Sequence, residues 1–146
     1  MFENVLVAID QSDLNEKIVD AAIELAGLSG AVITLINVHP APIAPAYPYD
    51  ITRDYIDTVN ESLTKESEAL LEKAKQVLLM KNPAVIVKTV SLTGNPATAM
   101  LEYAETTNQG VIVIGSRGLR GIKGMLLGSV SSKIAQLATC PVLIIH

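Results

Sequence analysis

Five short runs rich in Val, Ile and Leu, separated by stretches with helical spacing, restrict this chain more than any other feature. The runs occupy residues 5–9, 31–38, 85–92, 111–114 and 142–145. Apolar runs of this length read as strands buried on both faces, the pattern of a parallel sheet. The stretches between them have the other period. Leu14, Ile18, Ala21, Ala22 and Leu25 share one helical face. Over residues 56–80, Val59, Leu63, Leu70, Ala74, Val77 and Leu78 form a second stripe, and Met100, Leu101 and Ala104 face inward from a third helix. Ser129 to Leu137 is expected as a fourth. Strands alternating with helices imply a parallel sheet covered on both faces, with right-handed crossovers. The predicted fold is α/β, a doubly wound five-stranded sheet of order 3-2-1-4-5, forming a single domain over residues 1–146. Hydrophobic residues are 49% of the chain and aromatics 3%, so the core is expected to be aliphatic.

The joints carry their own signals. Asp10-Gln11-Ser12-Asp13 reads as a turn and helix cap, with Asp13 and Glu16 resembling a capping box. Gly27 to Gly30 closes that helix. Residues 39–55 hold four of the seven prolines, Pro40, Pro42, Pro45 and Pro48, and read as a long loop. Tyr47, Tyr49 and Tyr55 lie in or near it; a partner surface, a cover for a ligand and a simple anchor all fit. Asn95-Pro96 is a helix start, Asn at the cap and Pro at the first helical position.

Charge and cysteine usage exclude several classes. The net charge of −4 argues against general nucleic-acid binding. A single cysteine, Cys140, rules out an internal disulfide and fits a reducing, cytoplasmic setting. No apolar run approaches a membrane span, and no signal-like segment is expected at residues 1–9. The distribution of charge is more informative. Residues 106–146 contain no Asp or Glu but hold Arg117, Arg120, Lys123 and Lys133, while residues 1–105 carry a net −8. A basic, glycine-rich end on an acidic chain points to a local anionic ligand, with chance clustering of four cations as the plain alternative.

In a sheet of order 3-2-1-4-5 the winding reverses between strands 1 and 4, and ligands sit at the carboxyl ends of the strands there. Strand 1 ends at Asp10 and strand 4 at Gly115. Five of the nine glycines follow at that point: Gly115, Gly118, Gly121, Gly124 and Gly128. Glycines let backbone amides close around an anion. Ser129 then opens a helix whose free amides and dipole favour phosphate. The hydroxyls of Ser129 and Ser131 could add donors, and Arg117, Arg120 and Lys123 counter-charge. The alternative is a glycine loop that merely connects strand to helix. Neither G-x-x-x-x-G-K-[ST] nor G-x-G-x-x-G is present.

Gly115-Ser116-Arg117-Gly118, nine residues, then Gly128-Ser129 gives G-x2-G-x9-G-[ST]. This resembles the nucleotide loop of the ATP-binding branch of the universal stress protein family. The likeness spans the chain: Val7-Ala8-Ile9-Asp10, Gly94-Asn95-Pro96-Ala97 and Cys140-Pro141-Val142-Leu143-Ile144 are also similar to that family. The resemblance implies ATP as ligand and a homodimer, for which the edge strand Val142–Ile145 offers a pairing surface. It implies that Gly115, Gly118, Gly128 and Ser129 meet phosphates and ribose, continued by Val130 and Ser131. Asp10 would lie beside the ribose or a bound Mg²⁺, and Val38 would meet adenine through its backbone. Ala8, in the closing strand-1 segment, and Arg117, at a variable position of the motif, are included in the candidate site. The family often has Asp where Asn95 stands, which leaves the cap intact.

The remaining candidates are weaker. His39 and His146 lack metal-ligand spacing, and His39 reads as a loop histidine. Cys140 reads as packing, and Met80 as core or a helix-end contact. The competing functions are a nucleotide-binding regulatory module of the stress response, a slow ATPase or other adenine-nucleotide enzyme, and a dimeric scaffold without ligand. The H-x-G-H and S-G-G-x-D-S signatures of related transferases and pyrophosphatases are absent, as is a G-x-S-x-G elbow.

Overall fold

The computed structural model describes residues 1–13, 15–42, 53–117 and 127–146. Five parallel strands, β1 (Asn4–Ala8), β2 (Val32–His39), β3 (Ile86–Thr93), β4 (Val111–Gly115) and β5 (Val142–Ile145), form one sheet of order β3-β2-β1-β4-β5. The helices are α1 (Asn15–Ser29), α2 (Arg53–Lys81), α3 (Pro96–Thr106) and α4 (Ser129–Leu137). The predicted order is the observed one. β1 lies at the centre between β2 and β4, and Val5, Leu6 and Val7 of β1 and Ile112 and Val113 of β4 are sealed from solvent.

The two faces have separate cores, as the period of two along a strand requires. Val5, Val7, Ile33, Leu35 and Val113 pack under α1 and α2 with Ile18, Ala22, Leu71 and Leu78. Leu6, Ile36, Ile112 and Ile114 pack on the other side with Ala97, Met100, Ala104 and Ile134 from α3 and α4. Cys140 borders this second core, and burial pushes its thiol above the ordinary range.

Local chemistry sets the ends. Gly30 has φ +66° and donates to the Ala26 carbonyl at 2.8 Å, closing α1 in the left-handed conformation that glycine adopts without strain. Asn95 caps α3 by accepting from the Thr98 amide at 3.1 Å, with Pro96 next.

Several expectations shift. α1 begins at Asn15, and at its start Asp10 and Asn15, rather than Asp13 and Glu16, make the side-chain bonds described below. α2 begins at Arg53, three residues early, and its buried stripe is Ser67, Leu71, Ala74 and Leu78; Val59, Leu63, Leu70 and Val77 flank it half-buried. A helix of 29 residues drifts relative to any single seam, and one buried serine outranked the apolar pattern. Met80 is exposed, not core. His39 ends β2 instead of starting a loop, and is buried. No helix among the described residues is long and apolar enough to cross a membrane.

Candidate functional site

β1 ends at Ala8, and the next residues leave the sheet in a tight polar turn. Asp10 Oδ1 accepts from the Ser12 amide at 2.7 Å, an Asx turn. Asn15 then holds the Asp10 peptide from both sides. Its Oδ1 accepts from the Asp10 amide at 3.3 Å and its Nδ2 donates to the Asp10 carbonyl. The Asp10 carboxylate is thereby fixed, partly buried, above the carboxyl end of β1.

β4 is the neighbouring strand, in register with Val7 opposite Val113. At its end Gly115 pairs with Ile145, and the Ser116 amide donates to the Ile145 carbonyl at 2.7 Å. The chain returns to this point at Gly128, whose amide donates to the Ser116 carbonyl at 2.6 Å. Ser131 Oγ, buried, donates to the same Ser116 carbonyl at 2.9 Å and reaches Gly128 O at 3.1 Å. The start of α4 is thus pinned to the end of β4. The Ser131 hydroxyl is spent on that joint, so what Ser131 can offer a ligand is its backbone.

Gly128 is the N-cap of α4, with φ −71° and ψ 170° and no side-chain capping bond. The first intrahelical bond runs from Ser132 to Gly128 O at 2.9 Å. The amides of Ser129, Val130 and Ser131 precede it, which is the anion-attracting turn of a helix. Ser129 and Arg117 are exposed beside it. Gly118, Arg120, Gly121, Lys123 and Gly124 lie outside the described residues, as do Leu14, Tyr47 and Tyr49.

On the other side of Asp10, β2 runs past the end of β1. The last ladder bond between them is Ile9 N–H to Ile36 C=O at 2.9 Å. Successive residues point their backbone groups to opposite edges, so Val38, two residues on, aims its N–H and C=O at the β1 side where that strand has ended. A cleft of about 270 Å³ opens here, lined among others by Asp10, Asn37, Val38, His39, Leu63 and Leu70. Ala8 is core-packed and offers only backbone.

Beneath the cleft lies a polar network that the sequence reading missed. Asn37 donates to the Ile9 carbonyl at 2.8 Å and accepts from Ser67 Oγ at 2.7 Å, and Ser91 donates to Ser67 at 2.7 Å. His39 Nε2 lies 3.3 Å from both Thr64 Oγ1 and Thr93 Oγ1. A lone Asn in an apolar strand, and a serine on the apolar stripe of α2, were the available signals. Ser116 is a further omission: its hydroxyl is buried and unpartnered among the described residues.

Comparison with known proteins places the chain. The family model described as the universal stress protein family matches residues 1–146. The chain belongs to the universal stress protein family. It is 38% identical over 150 residues to universal stress protein YxiE of Bacillus subtilis, with both chains covered in full. The fold is similar to that of universal stress protein UspA from Lactobacillus plantarum, with a TM-score of 0.84 at 22% identity over 99% of this chain and 98% of that one. A universal stress protein solved in complex with cAMP is similar at a TM-score of 0.69 and 26% identity, over 99% of this chain and 96% of that one. Within this universal stress protein, Asp10, Val38, Gly115, Gly128 and Ser129 all lie at the carboxyl edge of the sheet, where β1, β2 and β4 end.

Proposed function

We propose that this universal stress protein binds an adenine nucleotide, ATP with Mg²⁺, across the ends of β2, β1 and β4, and that occupancy regulates a homodimer in the stress response. The observation that carries this is the pairing of two open features on either side of Asp10. Among the described residues, one is the N-terminus of α4 at Gly128, without a capping side chain; the other is the edge of Val38 over the cleft, without a backbone partner. Ligand clefts usually run to roughly 300–1,000 Å³, so a cleft of about 270 Å³ suits the base rather than a whole nucleotide. The phosphates then extend to Gly115, Gly118, Gly128, Ser129, Val130 and Ser131, with Arg117 supplying charge. The related protein bound to cAMP supports the adenine assignment.

Mg²⁺ fits the donors present. Among the described residues no three His, Cys, Asp or Glu side chains are grouped to hold a metal. Mg²⁺ needs no such cage, being held by one or two carboxylates together with substrate phosphates. Asp10 is that carboxylate, with Oδ1 engaged by Ser12. When bound, the ion neutralises phosphate charge; Asp10 holds it and α4 orients the phosphates.

The dimer follows from β5. It is an edge of the sheet, paired only with β4 among the described residues, and Leu143 on it is 37% exposed. An exposed apolar edge is a template for pairing with a second copy.

The deciding experiment is Gly128→Asp. A Cβ there meets Ser116 O at 3.5 Å and nothing nearer, and the backbone is in a region open to any residue. The new carboxylate would cap α4 itself and repel phosphate. Nucleotide-stripped protein titrated with ATP and Mg²⁺ should show binding that the variant loses by at least about a hundredfold, while its Tm is unchanged or higher. Equal ATP affinity in both proteins, or no binding by wild type at millimolar ATP, sinks the reading.

A further inference from the structure

We propose that Asn37 is a positioning residue for base recognition: it holds the Ile9 carbonyl away from Val38 and so keeps the Val38 edge open for the base. The inference rests on the nucleotide reading above and adds a determinant of which base is taken.

The ladder geometry identifies the missing bond. Ile9 N–H donates to Ile36 C=O, so the next bond in a parallel ladder would join Val38 N–H to Ile9 C=O. Among the described residues no backbone bond joins them. Asn37 Nδ2 donates to Ile9 C=O at 2.8 Å in its place. A backbone carbonyl only accepts, so the amide faces it with nitrogen, which turns Oδ1 to the Ser67 hydroxyl at 2.7 Å. Ser67 in turn accepts from Ser91 at 2.7 Å. Every donor in this chain, Ser91 to Ser67 to Asn37 to Ile9, points the same way and ends on the one carbonyl that competes for Val38. Ser67 is buried on α2 and Ser91 lies on β3, so two separate elements fix the amide.

The chemical consequence is an N–H and C=O on one strand edge beside the cleft that have no partner among the described residues. Adenine offers a matching acceptor at N1 and donor at N6. In the same pose guanine would set O6 against the carbonyl and N1–H against the amide, acceptor on acceptor and donor on donor. A buried mismatch of that kind is a strong rejection. Without Asn37, Ile9 C=O is free to take Val38 N–H, and the recognition edge zips shut.

The test measures ATP, GTP and tripolyphosphate binding to wild type, Asn37→Ala and Ser67→Ala, together with exchange of the Val38 amide in ligand-free protein. Wild type should prefer ATP over GTP by at least about tenfold, with the Val38 amide exchanging faster than that of Ile36. In Asn37→Ala the ratio should fall to within about threefold and the Val38 amide should slow, while tripolyphosphate affinity stays within about twofold. Ser67→Ala, which keeps Asn37 but frees its amide to rotate, should move both readouts partway and serves if Asn37→Ala does not fold. ATP binding with an unchanged ATP-to-GTP ratio in the variants, or a protected Val38 amide in wild type, overturns the role of Asn37 alone. Wild type that binds neither ATP nor tripolyphosphate overturns the nucleotide reading and this inference with it.

Discussion

Gly128 and Gly110 sit near opposite ends of the same strand, and a side chain at each would meet different surroundings. At Gly128 a Cβ has ordinary van der Waals room and the φ of −71° suits any residue. Its backbone does not demand glycine; the demand, if any, comes from a ligand. At Gly110 a Cβ would fall 2.1 Å from the Met1 carbonyl oxygen and 3.3 Å from that of Asn4. There the glycine is required by close backbone approach. Urea denaturation should find Gly128→Ala within about 1 kcal/mol of wild type, since the entropy gain in the unfolded chain is offset by alanine's weakness as an N-cap. Gly110→Ala should lose about 1–3 kcal/mol, the usual range for overpacking. A similar loss at both positions would mean that the start of α4 is packed more tightly than the structure shows.

Two element-scale predictions follow from how helices are started and tied. Asn95 caps α3 through a single side-chain bond to the Thr98 amide. Asn95→Ala should lower stability by about 1 kcal/mol, within the usual range of about 0.5–2, and Asn95→Asp should retain it. A thermal melt of the three proteins separates the cap from side-chain volume. The other tie joins α2 to α1. Lys81 donates to Asp20 at 2.6 Å and to Glu16 at 3.4 Å. The hydrogen bond to Asp20 raises the Lys81 pKa above its ordinary 10.5, the Coulomb attraction of both carboxylates adds to it, and desolvation opposes it. A raised amine pKa means the folded state binds the proton more tightly than the unfolded chain. The contribution is therefore whole below pH 10.5 and lost as pH rises through the folded value. These side chains are well exposed, so the effect is small and salt-screened. The Tm difference between wild type and Lys81→Met should shrink above pH 10.5, and also in 1 M NaCl near pH 7. A difference that survives both would belong to packing of the lysine stem instead.

At the scale of the whole molecule, the sheet leaves β3 and β5 as edges and gathers the ends of β1, β2 and β4 on one rim. The two edges are unlike. β3 exposes Lys88, Thr89 and Thr93 along with Ile86, and a lysine on an edge discourages pairing, whereas β5 is Val-Leu-Ile-Ile without a charge and with Leu143 partly exposed. Leu143→Lys should shift sedimentation from dimer toward monomer at micromolar concentration; a wild type already monomeric there removes β5 as an interface. A ligand on the rim where β1, β2 and β4 end binds only the folded state, so ATP with Mg²⁺ should raise stability by about 2.7 kcal/mol at a hundred times Kd. A Tm indifferent to millimolar ATP would contradict the nucleotide site.

The strand count and the sheet order were decided by the sequence by itself. Period and length of the apolar runs separate strand from helix, alternation forces parallel pairing with right-handed crossovers, and the winding reverses between β1 and β4, beside Asp10 and Gly115. Ser129 to Leu137 and Val142 to Ile145 were legible to the residue, since a glycine and a proline bracket them. The details that give the rim its chemistry were decided by tertiary structure. Asn37 interrupts an apolar strand and Ser67 an apolar stripe, but that they and Ser91, far apart along the chain, meet one another follows only from the packing of β2, α2 and β3. The inward turn of Ser131 toward Ser116 likewise depends on where α4 docks. Hydrophobic spacing records which face of an element is buried; which polar groups then find one another depends on register between elements, which no single segment carries.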